Sequence, residues 1–587
     1  MARPGLFVLL LLVLGASGHG QRNFTEWART MNKELRQLNR EAALRTWAGL
    51  VGEEYPTSYS LDEVRIEWRW QRCMDAIGFF GAPPVVRRAA YLLCRGPFLA
   101  PVESRMLTSL LGLLSNMYKE VKLCRASNCF RIEPDMETLM KTSRDPDFLL
   151  FLWQGWRDAI GPPSRHIYES LIKIQNDIAI KSNYRDMGEC WREELEVPWL
   201  EETVQRLMEE VAPLHRLLHG YVRWRLRSHY GYQLVSEGGP VPAHLMGNMW
   251  AQSWESIIDI VLNTTSFNLH QRLKNKYQNV TAMVKEAERF YISLGLKPMT
   301  SKFWKNSIIS NENEKVMCHG TAANMYEKDD YRMLVCANIT WDDFYVIHHE
   351  MGHIQYFMAY ENLPPIFQDG ANSAFQETIG DTIMLAVETP SHLKRLGIFN
   401  ELDEEFEFPL LMYQALKKIP QIPFGLVVDK WRWGVMASNI TSADYNTAWW
   451  EYRQAYEGIK PPFPRGPYSF DPIAKFHVAD NTPYIRYFLS SFLQFQFLDI
   501  LCKSKYNEIG SEKTPLHLCD LYGYKEGGNK LRKMMAQGNI KTWYELLAEF
   551  SDGRYKKLSA RPILSYFSSL TNWLKRQVAK HNIPIGW

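Results

Sequence analysis

The sequence has almost no excess of charge of either sign. It contains 68 Lys and Arg against 65 Asp and Glu, which gives a formal net charge of +3 over 587 residues. A dedicated nucleic-acid-binding protein normally carries a strong basic excess, so we expect no nucleic-acid partner. Hydrophobic residues make up 46% of the chain, a composition that excludes long disorder and predicts a large buried core.

The sequence also lacks a hydrophobic run long enough to cross a membrane. The longest apolar stretch, Tyr487–Cys502, is interrupted by serines, glutamines and an aspartate, which is typical of a buried helix. A shorter run, Leu6–Leu14, follows Arg3 and precedes Ala16-Ser17-Gly18. This arrangement predicts a secretory signal peptide over residues 1–18 and a secreted, extracellular protein without a transmembrane segment in this chain.

Cysteine is scarce for a secreted chain of this length, with nine residues in all. Disulfides are expected in that compartment, although so large a chain does not depend on them. Three close pairs are candidates, namely Cys124 with Cys129, Cys318 with Cys336, and Cys502 with Cys519. Because nine is odd, at least one of Cys73, Cys94 and Cys190 lacks an internal partner. Glycosylation sequons, which fit secretion, occur at Asn23, Asn263, Asn279, Asn338 and Asn439.

Strand-like alternation is rare, and Tyr331–Cys336 is the best short candidate. Apolar residues instead recur at three- and four-residue spacing, for example from Trp27 to Ala42 and from Val204 to Leu218. The chain has no low-complexity linker and no internal repeat. These features predict a mainly α fold, one large helical protein with two lobes around a deep central cleft and a few short strands.

The residues that carry chemistry lie between 349 and 381. The string His349-Glu350-Met351-Gly352-His353 is an H-E-x-x-H motif. On a helix, its four-residue spacing puts both imidazoles on one face, where they can hold Zn²⁺. Glu350 is displaced round the helix and can reach a water molecule at the ion without taking a ligand position. His348 lies about 100° round the helix from His349 and is expected to be structural.

A catalytic zinc ion needs a third protein ligand and one open position. Glu377 and Asp381 lie one helical turn apart downstream of the motif. Glu377 is the candidate third ligand, and Asp381 would accept a hydrogen bond from the far nitrogen of a zinc-bound histidine. Acidic pairs at this spacing are also common on solvated helix faces, so the spacing alone leaves a surface role open.

Several motifs together resemble the angiotensin-converting enzyme family, which are helical zinc peptidyl-dipeptidases of the gluzincin type. The motifs are Cys318-His319, the string from His349 to Tyr356, Gly370-Ala371-Asn372, Phe375-Gln376-Glu377 and Gly380-Asp381. The resemblance runs from about Arg131 to Leu570 and is dense again at Ala474–Phe488. It implies a single peptidase domain over residues 19–587, in which residues 19–123 form a diverged lid region.

The resemblance implies a role for each matching residue. Zinc, one ion per domain, would be bound by His349, His353 and Glu377. Glu350 would be the general base, and Asp381 would accept a hydrogen bond from one of the zinc-binding histidines. Residues that would stabilise the transition state are His477 and Tyr487. His319 and Ala322 would bind the backbone of the peptide substrate. The C-terminal carboxylate of the substrate would be bound by Gln252, Lys475 and Tyr484.

Chloride is a further ligand that the resemblance implies. One chloride site would comprise Arg157, Trp449 and Arg453. Arg486 matches the second site, but the usual tyrosine partner there would fall at Leu195. Leucine cannot donate a hydrogen bond to an anion, which opposes occupancy of the second site.

Two functions of different class follow from these observations. The first is a secreted zinc metallopeptidase that releases C-terminal dipeptides from short peptides with a free C-terminus, by zinc-activated water attack. The alternative is a catalytically weak or inactive ectodomain that acts as a binding or adhesion protein, an interpretation prompted by the diverged lid region, Leu195 and the odd cysteine. The complete set of ligands and base favours the enzyme.

Overall fold

Helices account for most of the chain in the computed structural model, which confirms the predicted mainly α class. The structure describes residues 24–55, 61–310, 316, 318, 320–400, 405–509 and 514–587. The predicted signal peptide over residues 1–18, the sequon at Asn23 and the candidate substrate residue His319 lie outside the described residues.

The α-helices are numbered in chain order over the described residues. The first twelve are α1 (Phe24–Val51), α2 (Leu61–Ala76), α3 (Pro84–Cys94), α4 (Pro101–Glu120), α5 (Glu137–Thr142), α6 (Pro146–Lys181), α7 (Met187–Leu195), α8 (Leu200–Tyr230), α9 (Ile258–Leu262), α10 (Leu269–Lys276), α11 (Val280–Ser293) and α12 (Ser301–Asn306). The remainder are α13 (Trp341–Tyr360), α14 (Ser373–Val387), α15 (Pro390–Arg395), α16 (Glu407–Lys418), α17 (Gln421–Met436), α18 (Tyr445–Tyr452), α19 (Phe476–Ala479), α20 (Ile485–Ile509), α21 (Lys525–Met535), α22 (Trp543–Phe550), α23 (Arg561–Tyr566) and α24 (Ser568–His581).

The described strands form three two-stranded sheets. Antiparallel pairs join β1 (Lys122–Arg125) to β2 (Asn128–Arg131) and β4 (Thr321–Asn324) to β5 (Tyr331–Leu334). A short parallel pair joins β3 (Val241–Pro242) to β6 (Ile459–Lys460). The strand that the sequence predicts at Tyr331–Cys336 is therefore present and ends two residues earlier.

Helices α13 and α14 form the centre of the fold, and each begins with a capped first turn. The Thr340 hydroxyl accepts a hydrogen bond from the Asp343 amide at 3.0 Å, and the Asn372 side chain accepts one from the Phe375 amide at 3.1 Å. Such caps satisfy amides that a helix start leaves without an intrahelical partner. Helix α14 packs against α13 on one side and against α20 on another, which brings the three helices with candidate site residues together.

Two glycines allow α13 and α14 to approach each other very closely. A Cβ atom at Gly380 would lie 2.4 Å from the Cα atom of His349, and one at Gly352 would lie 2.6 Å from the Gly380 amide nitrogen. Neither position has room for a side chain, so glycine is required there for a steric reason. The close approach sets the distance between the H-E-x-x-H motif and the acidic pair on α14.

Helix α20 is buried along the apolar stretch that the sequence analysis assigned to the interior. Residues from Phe488 to Cys502 have little solvent access, including the polar side chains of Ser490, Gln494 and Gln496. Among the described residues, none of the helices combines the length and the apolar character that a bilayer span requires.

The helices of the region predicted to be a diverged lid have a smaller core of their own. Trp27, Met31 and Leu35 of α1 pack with Cys73 of α2 and with residues of α3 in one cluster. Phe367, from the segment between α13 and α14, belongs to the same cluster. The lid helices are therefore anchored beside the segment that connects the two central helices.

Four disulfides use eight of the nine cysteines. The three predicted pairs all form, and the fourth bridge joins Cys73 to Cys94. Cys190 is buried and forms no disulfide among the described residues, so it is the odd cysteine that the count requires. The sequon asparagines within the described residues are all exposed, at Asn263, Asn279, Asn338 and Asn439.

Candidate metal centre

Three side chains from α13 and α14 converge on one point. Donor atoms of His349, His353 and Glu377 all lie within 4.8 Å of one another. The Glu377 Oε2 atom is 3.3 Å from Nε2 of His349 and 3.9 Å from Nε2 of His353. A tetrahedral zinc ion with bonds of about 2.0–2.1 Å needs donor atoms about 3.3 Å apart. The three side chains therefore fit a zinc ion with little adjustment.

Glu350 of the motif and His348, the residue just before the motif, have different surroundings. Glu350 is buried, and a Cβ atom placed on Gly320 would lie 3.2 Å from its Oε1 atom, so the backbone just before β4 passes close to this carboxylate. His348 faces away toward the Phe344 carbonyl, which lies 2.7 Å from its Nδ1 atom. Burial lowers the pKa of His348 to about 4, so a neutral, structural histidine is expected there.

Asp381 lies one turn after Glu377 and reaches the first histidine. Its Oδ1 atom is 3.1 Å from Nδ1 of His349, on the side of the ring away from Glu377. Burial alone would raise the pKa of Asp381, but the Lys418 ammonium and the hydrogen bond with His349 hold it well below its usual range. An ionised Asp381 favours the His349 tautomer with a proton on Nδ1, which leaves Nε2 free for a metal.

The pKa of His349 is shifted in the opposite direction. Burial would lower the pKa of its imidazole, but hydrogen bonds with Asp381 and Glu377 raise that pKa well above the usual value. For the same reason the pKa of Glu377 is lowered by His349 and His353, against the effect of burial. The carboxylates of Glu377 and Asp381 thus favour a positive charge beside His349, which a bound metal ion would supply.

Three aromatic side chains lie side by side at the junction of α19 and α20. The His477 Nε2 atom is 3.3 Å from the Tyr487 hydroxyl, and the His477 ring centre is 4.8 Å from that of Tyr484. Burial, with a further contribution from the Glu377 carboxylate, raises the pKa of Tyr487 well above its usual value. Tyr487 therefore remains a protonated hydrogen-bond donor at neutral pH.

Lys475 is a buried cation enclosed largely by aromatic rings. Its Nζ atom lies 4.1 Å from the ring centre of Trp250 and 5.7 Å from that of Tyr484. Burial lowers the pKa of Lys475 to about 8, despite the nearby carboxylates of Glu137 and Glu133. The Trp250 indole donates to the Ala474 carbonyl at 2.7 Å, which ties the segment bearing Gln252 to the segment bearing Lys475.

The other two predicted substrate residues with described positions are Gln252 and Ala322. The Gln252 Oε1 atom is buried and has no hydrogen-bond partner among the described residues. A buried acceptor without a partner is costly, which is typical of a position completed by a ligand or by water. Ala322 is half-buried in β4, opposite Met333, and β4 packs along α13.

The two arginines of the predicted first chloride site, Arg157 and Arg453, have different hydrogen-bond partners. Arg157 is buried, donates to the Met249 carbonyl at 2.9 Å, and forms no ion pair among the described residues. Burial lowers its pKa to about 9. Arg453, 5.7 Å from the Trp449 ring centre, instead forms a two-bond pair with the buried Glu457 carboxylate, at 2.8 and 2.6 Å.

The two residues assigned to the predicted second chloride site, Arg486 and Leu195, have different polar contacts. The Arg486 Nε atom donates to the Pro483 carbonyl at 3.1 Å. Leu195 is buried, and its backbone carbonyl accepts a hydrogen bond from the Asn372 side chain at 2.9 Å. This contact helps to hold the start of α14 and offers nothing to an anion.

Sequence reasoning missed the residues that hold these groups in place. Tyr345 and Lys418 both contact Asp381, and the buried pair of Asp429 and Arg432 holds the backbone around His477 and Tyr484. Tyr345 precedes His349 by four residues, so helical spacing places it on the same face. The other three residues carried no usable signal, because their contacts join elements that are distant in sequence.

The fold and the donor set together resemble those of metallopeptidases built on an H-E-x-x-H helix, with a glutamate from a second helix. Comparison with known families narrows this class further. A family model described as angiotensin-converting enzyme, Peptidase_M2, matches residues 86–587, and the chain belongs to that family. The match extends beyond both ends of the resemblance in the sequence analysis and includes part of the region expected to be diverged.

Individual relatives agree with this assignment. Angiotensin-converting enzyme of Sus scrofa is 39% identical over 482 residues, covering 81% of this chain and 36% of the relative. Angiotensin-converting enzyme-like protein Ace3 of Mus musculus is 38% identical over 486 residues, covering 81% of this chain and 65% of the relative. Angiotensin-converting enzyme of Haematobia irritans exigua is 32% identical over 571 residues, covering 94% of this chain and 93% of the relative. The chain thus spans about a third of the length of the pig enzyme.

Proposed function

We propose that this chain is a secreted zinc peptidyl-dipeptidase that releases dipeptides from the free C-terminus of short peptides. The observation that carries the proposal is the convergence of His349, His353 and Glu377 beside the intact base Glu350. A relative that had lost catalysis would be expected to lack a ligand or the base, and this chain retains all four. The exposed sequons and the four disulfides support a secreted protein.

Metal binding is assigned to the three converging side chains. His349 and His353 would each contribute Nε2, and Glu377 would contribute Oε2. Asp381 would hold His349 in the tautomer that presents Nε2. Zinc, when bound, supplies a Lewis acid that makes water a nucleophile at neutral pH.

Proton transfer is assigned to Glu350. Its carboxylate projects from the same helix as both histidines and is enclosed by the Gly320 backbone, so it is shielded from bulk water. It would take a proton from the attacking water and deliver that proton to the leaving amine. General acid–base catalysis of this kind contributes about 10²- to 10⁴-fold to the rate.

Stabilisation of the developing charge is assigned to Tyr487 and His477. Amide hydrolysis places negative charge on the former carbonyl oxygen, and donors that are already in position lower the free energy of that state. The Tyr487 hydroxyl stays protonated because burial raises its pKa, and it lies 3.3 Å from the His477 ring nitrogen. The two side chains can therefore donate from adjacent positions.

Selection of a dipeptide unit is assigned to Lys475, Gln252 and Tyr484. A substrate carboxylate would gain an ionic hydrogen bond from Lys475 and would be sheltered by the surrounding aromatic rings. Held at a fixed distance from the metal ligands, such a receptor would determine which peptide bond reaches Glu350. The same receptor would reject a peptide whose C-terminus is amidated.

A chloride site at Arg157 forms a further part of the proposal. Its support is a buried guanidinium without an ion pair among the described residues. Arg157 donates to the Met249 carbonyl, and Arg453 donates to the carbonyl of the next residue, Trp250. We do not extend the proposal to Arg486, because the resemblance places Leu195 where the usual tyrosine partner would be, and leucine offers no donor. Activity measured in chloride and in acetate at equal ionic strength tests the Arg157 site.

The experiment that tests the function is digestion of paired peptides of identical sequence, one with a free acid and one with a C-terminal amide. Products are identified by mass spectrometry, with and without a chelator. We expect dipeptides from the free acid only, and no product after metal removal. Release of single residues, or a zinc-loaded protein that leaves every free-acid peptide intact, would contradict the proposal.

A further inference from the structure

Tyr345 lies one helical turn before His349 on the same face of α13. The two rings are nearly parallel, with centres 6.4 Å apart and an interplanar angle of 15°. The Tyr345 hydroxyl donates a hydrogen bond to Oδ1 of Asp381, the same oxygen that lies 3.1 Å from Nδ1 of His349. One carboxylate oxygen therefore has two neighbours on α13, and both contacts limit rotation of the carboxylate.

Lys418, the last residue of α16, approaches the same group from another direction. Its Nζ atom donates to the Tyr345 hydroxyl at 2.6 Å and lies 3.4 Å from Oδ2 of Asp381. The lysine side chain is only 8% exposed, so water screens its charge weakly. The preceding residue, Lys417, places its Nζ atom 3.3 Å from the centre of the Tyr345 ring. Two cations from α16 thus hold the tyrosine in place.

These contacts give each oxygen of Asp381 a distinct partner. Oδ1 accepts from Tyr345 and faces His349, while Oδ2 faces the Lys418 ammonium. Removing the tyrosine hydroxyl would leave Oδ1 with His349 alone and would free the carboxylate to turn toward the lysine. His349 would then lose the partner that fixes its ring orientation.

We infer that Tyr345 and Lys418 are positioning residues for the metal centre, acting through Asp381 to aim Nε2 of His349 at the zinc position. Among the described residues, neither Tyr345 nor Lys418 forms a hydrogen bond with the proposed zinc-binding atoms, Nε2 of His349 and His353 and Oε2 of Glu377. The inference rests on the proposed zinc site, to which it adds two residues behind Asp381: Tyr345 from α13 and Lys418 from a third helix, α16. Tyr345 can be tested separately from the packing of its ring, because phenylalanine retains the ring and loses only the hydroxyl.

The first test compares Tyr345→Phe with Tyr413→Phe in the whole protein. Tyr413 lies on α16, and its buried hydroxyl has no hydrogen-bond partner among the described residues, so its removal controls for loss of a buried hydroxyl. Zinc affinity is measured by competition with a chromophoric chelator. Loss of an outer partner of a ligand typically weakens metal binding about tenfold or more. We expect about tenfold for Tyr345→Phe and no change for Tyr413→Phe.

Two further readouts separate positioning from general destabilisation. In the cobalt-substituted protein, the visible d–d absorption should shift for Tyr345→Phe and match wild type for Tyr413→Phe. With peptide substrate, kcat should fall about tenfold at nearly constant KM. Because both residues act through Asp381, the combined Tyr345→Phe and Lys418→Met variant should lose less zinc affinity than the product of the two single losses.

The outcomes distinguish this inference from the proposed function. If wild type binds zinc and Tyr345→Phe has the same affinity and the same cobalt spectrum, the inference is wrong while the zinc peptidase remains supported. If wild type itself binds no zinc, both are wrong. If Lys418→Met fails to fold, the comparison of Tyr345→Phe with Tyr413→Phe still decides the matter.

Discussion

The Asp429 carboxylate and the Arg432 guanidinium form an ion pair in which both side chains are 0% exposed. Asp429 also accepts hydrogen bonds from the amides of Tyr484 and Ile485, at 2.8 and 2.7 Å. Arg432 donates to the carbonyl of His477 at 3.1 Å. The pair therefore fixes both ends of the segment between α19 and α20, the two helices that bear the proposed transition-state donors His477 and Tyr487.

Replacing Asp429 with asparagine should be strongly destabilising. The change leaves the Arg432 cation buried without its partner, and breaking a buried pair in this way costs about 3–5 kcal/mol. Urea unfolding of Asp429→Asn measures the loss. The exposed pair of Arg206 and Glu210 provides the control, since Glu210→Gln should change the free energy of unfolding by less than about 1 kcal/mol. Equal effects of the two substitutions would contradict this role.

Replacing Glu350 with glutamine should abolish most activity without emptying the metal site. The variant keeps the shape of the side chain but cannot accept a proton, so we expect kcat to fall about 10²- to 10⁴-fold. Metal analysis should still find one zinc ion per chain, because His349, His353 and Glu377 are untouched. Turnover equal to wild type would remove Glu350 as the base.

Lys475 should impose an alkaline limit on substrate binding. Burial lowers its pKa to about 8, so the side chain is a cation below that pH and neutral above it. A neutral amine attracts a carboxylate weakly, and kcat/KM for free-acid peptides should therefore decline as the pH rises above about 8. In Lys475→Met the KM should be raised at neutral pH, and this alkaline decline should disappear. An unchanged pH profile in the variant would exclude Lys475 as the receptor.

His215 should make the folded protein sensitive to acid. Burial lowers its pKa to about 3, and both ring nitrogens lack a partner among the described residues. In the unfolded chain the pKa returns to about 6.5, so below that pH the unfolded state binds more protons and stability decreases. Between pH 7 and pH 5 this single group should cost about 2 kcal/mol.

The matched variants for this effect are His215→Phe and His166→Gln. Denaturant unfolding at pH 7 and pH 5 gives the change in stability for each protein. His215→Phe should lose about 2 kcal/mol less than wild type over that interval. His166 is 90% exposed, so His166→Gln controls for the removal of a histidine that is not buried. Parallel pH dependence in all three proteins would show that His215 does not contribute.

The parts of the site predictable from sequence are those carried on one helix. The spacing of His349 and His353, and that of Glu377 and Asp381, places each pair on a common face, and the structure brings the two pairs together. The roles of Lys475 and its neighbours followed only from family resemblance, since a single lysine in a sequence carries no pattern.

The remaining contacts depend on how distant segments pack. Tyr345 meets Lys418 across 73 positions of sequence, and the Asp429 carboxylate meets the Tyr484 amide across 55. Neither hydrophobic periodicity nor a local sequence motif predicts contacts between segments so far apart in the chain. The disulfide between Cys73 and Cys94 is similar, because the count of cysteines left three candidates and only the packing of α2 against α3 selects the pair.

Gly352 and Gly380 bring α13 and α14 into close contact. The distances among the proposed metal-binding atoms therefore depend on the spacing between these two helices. Two donors belong to α13 and the third to α14, while a metal site tolerates errors of only about 0.2 Å in its bonds. A single methyl group in this seam would force the backbones apart by more than that margin. Gly352 and Gly380 therefore fix the distance between the two helices that carry the metal-binding side chains, and neither position admits a side chain.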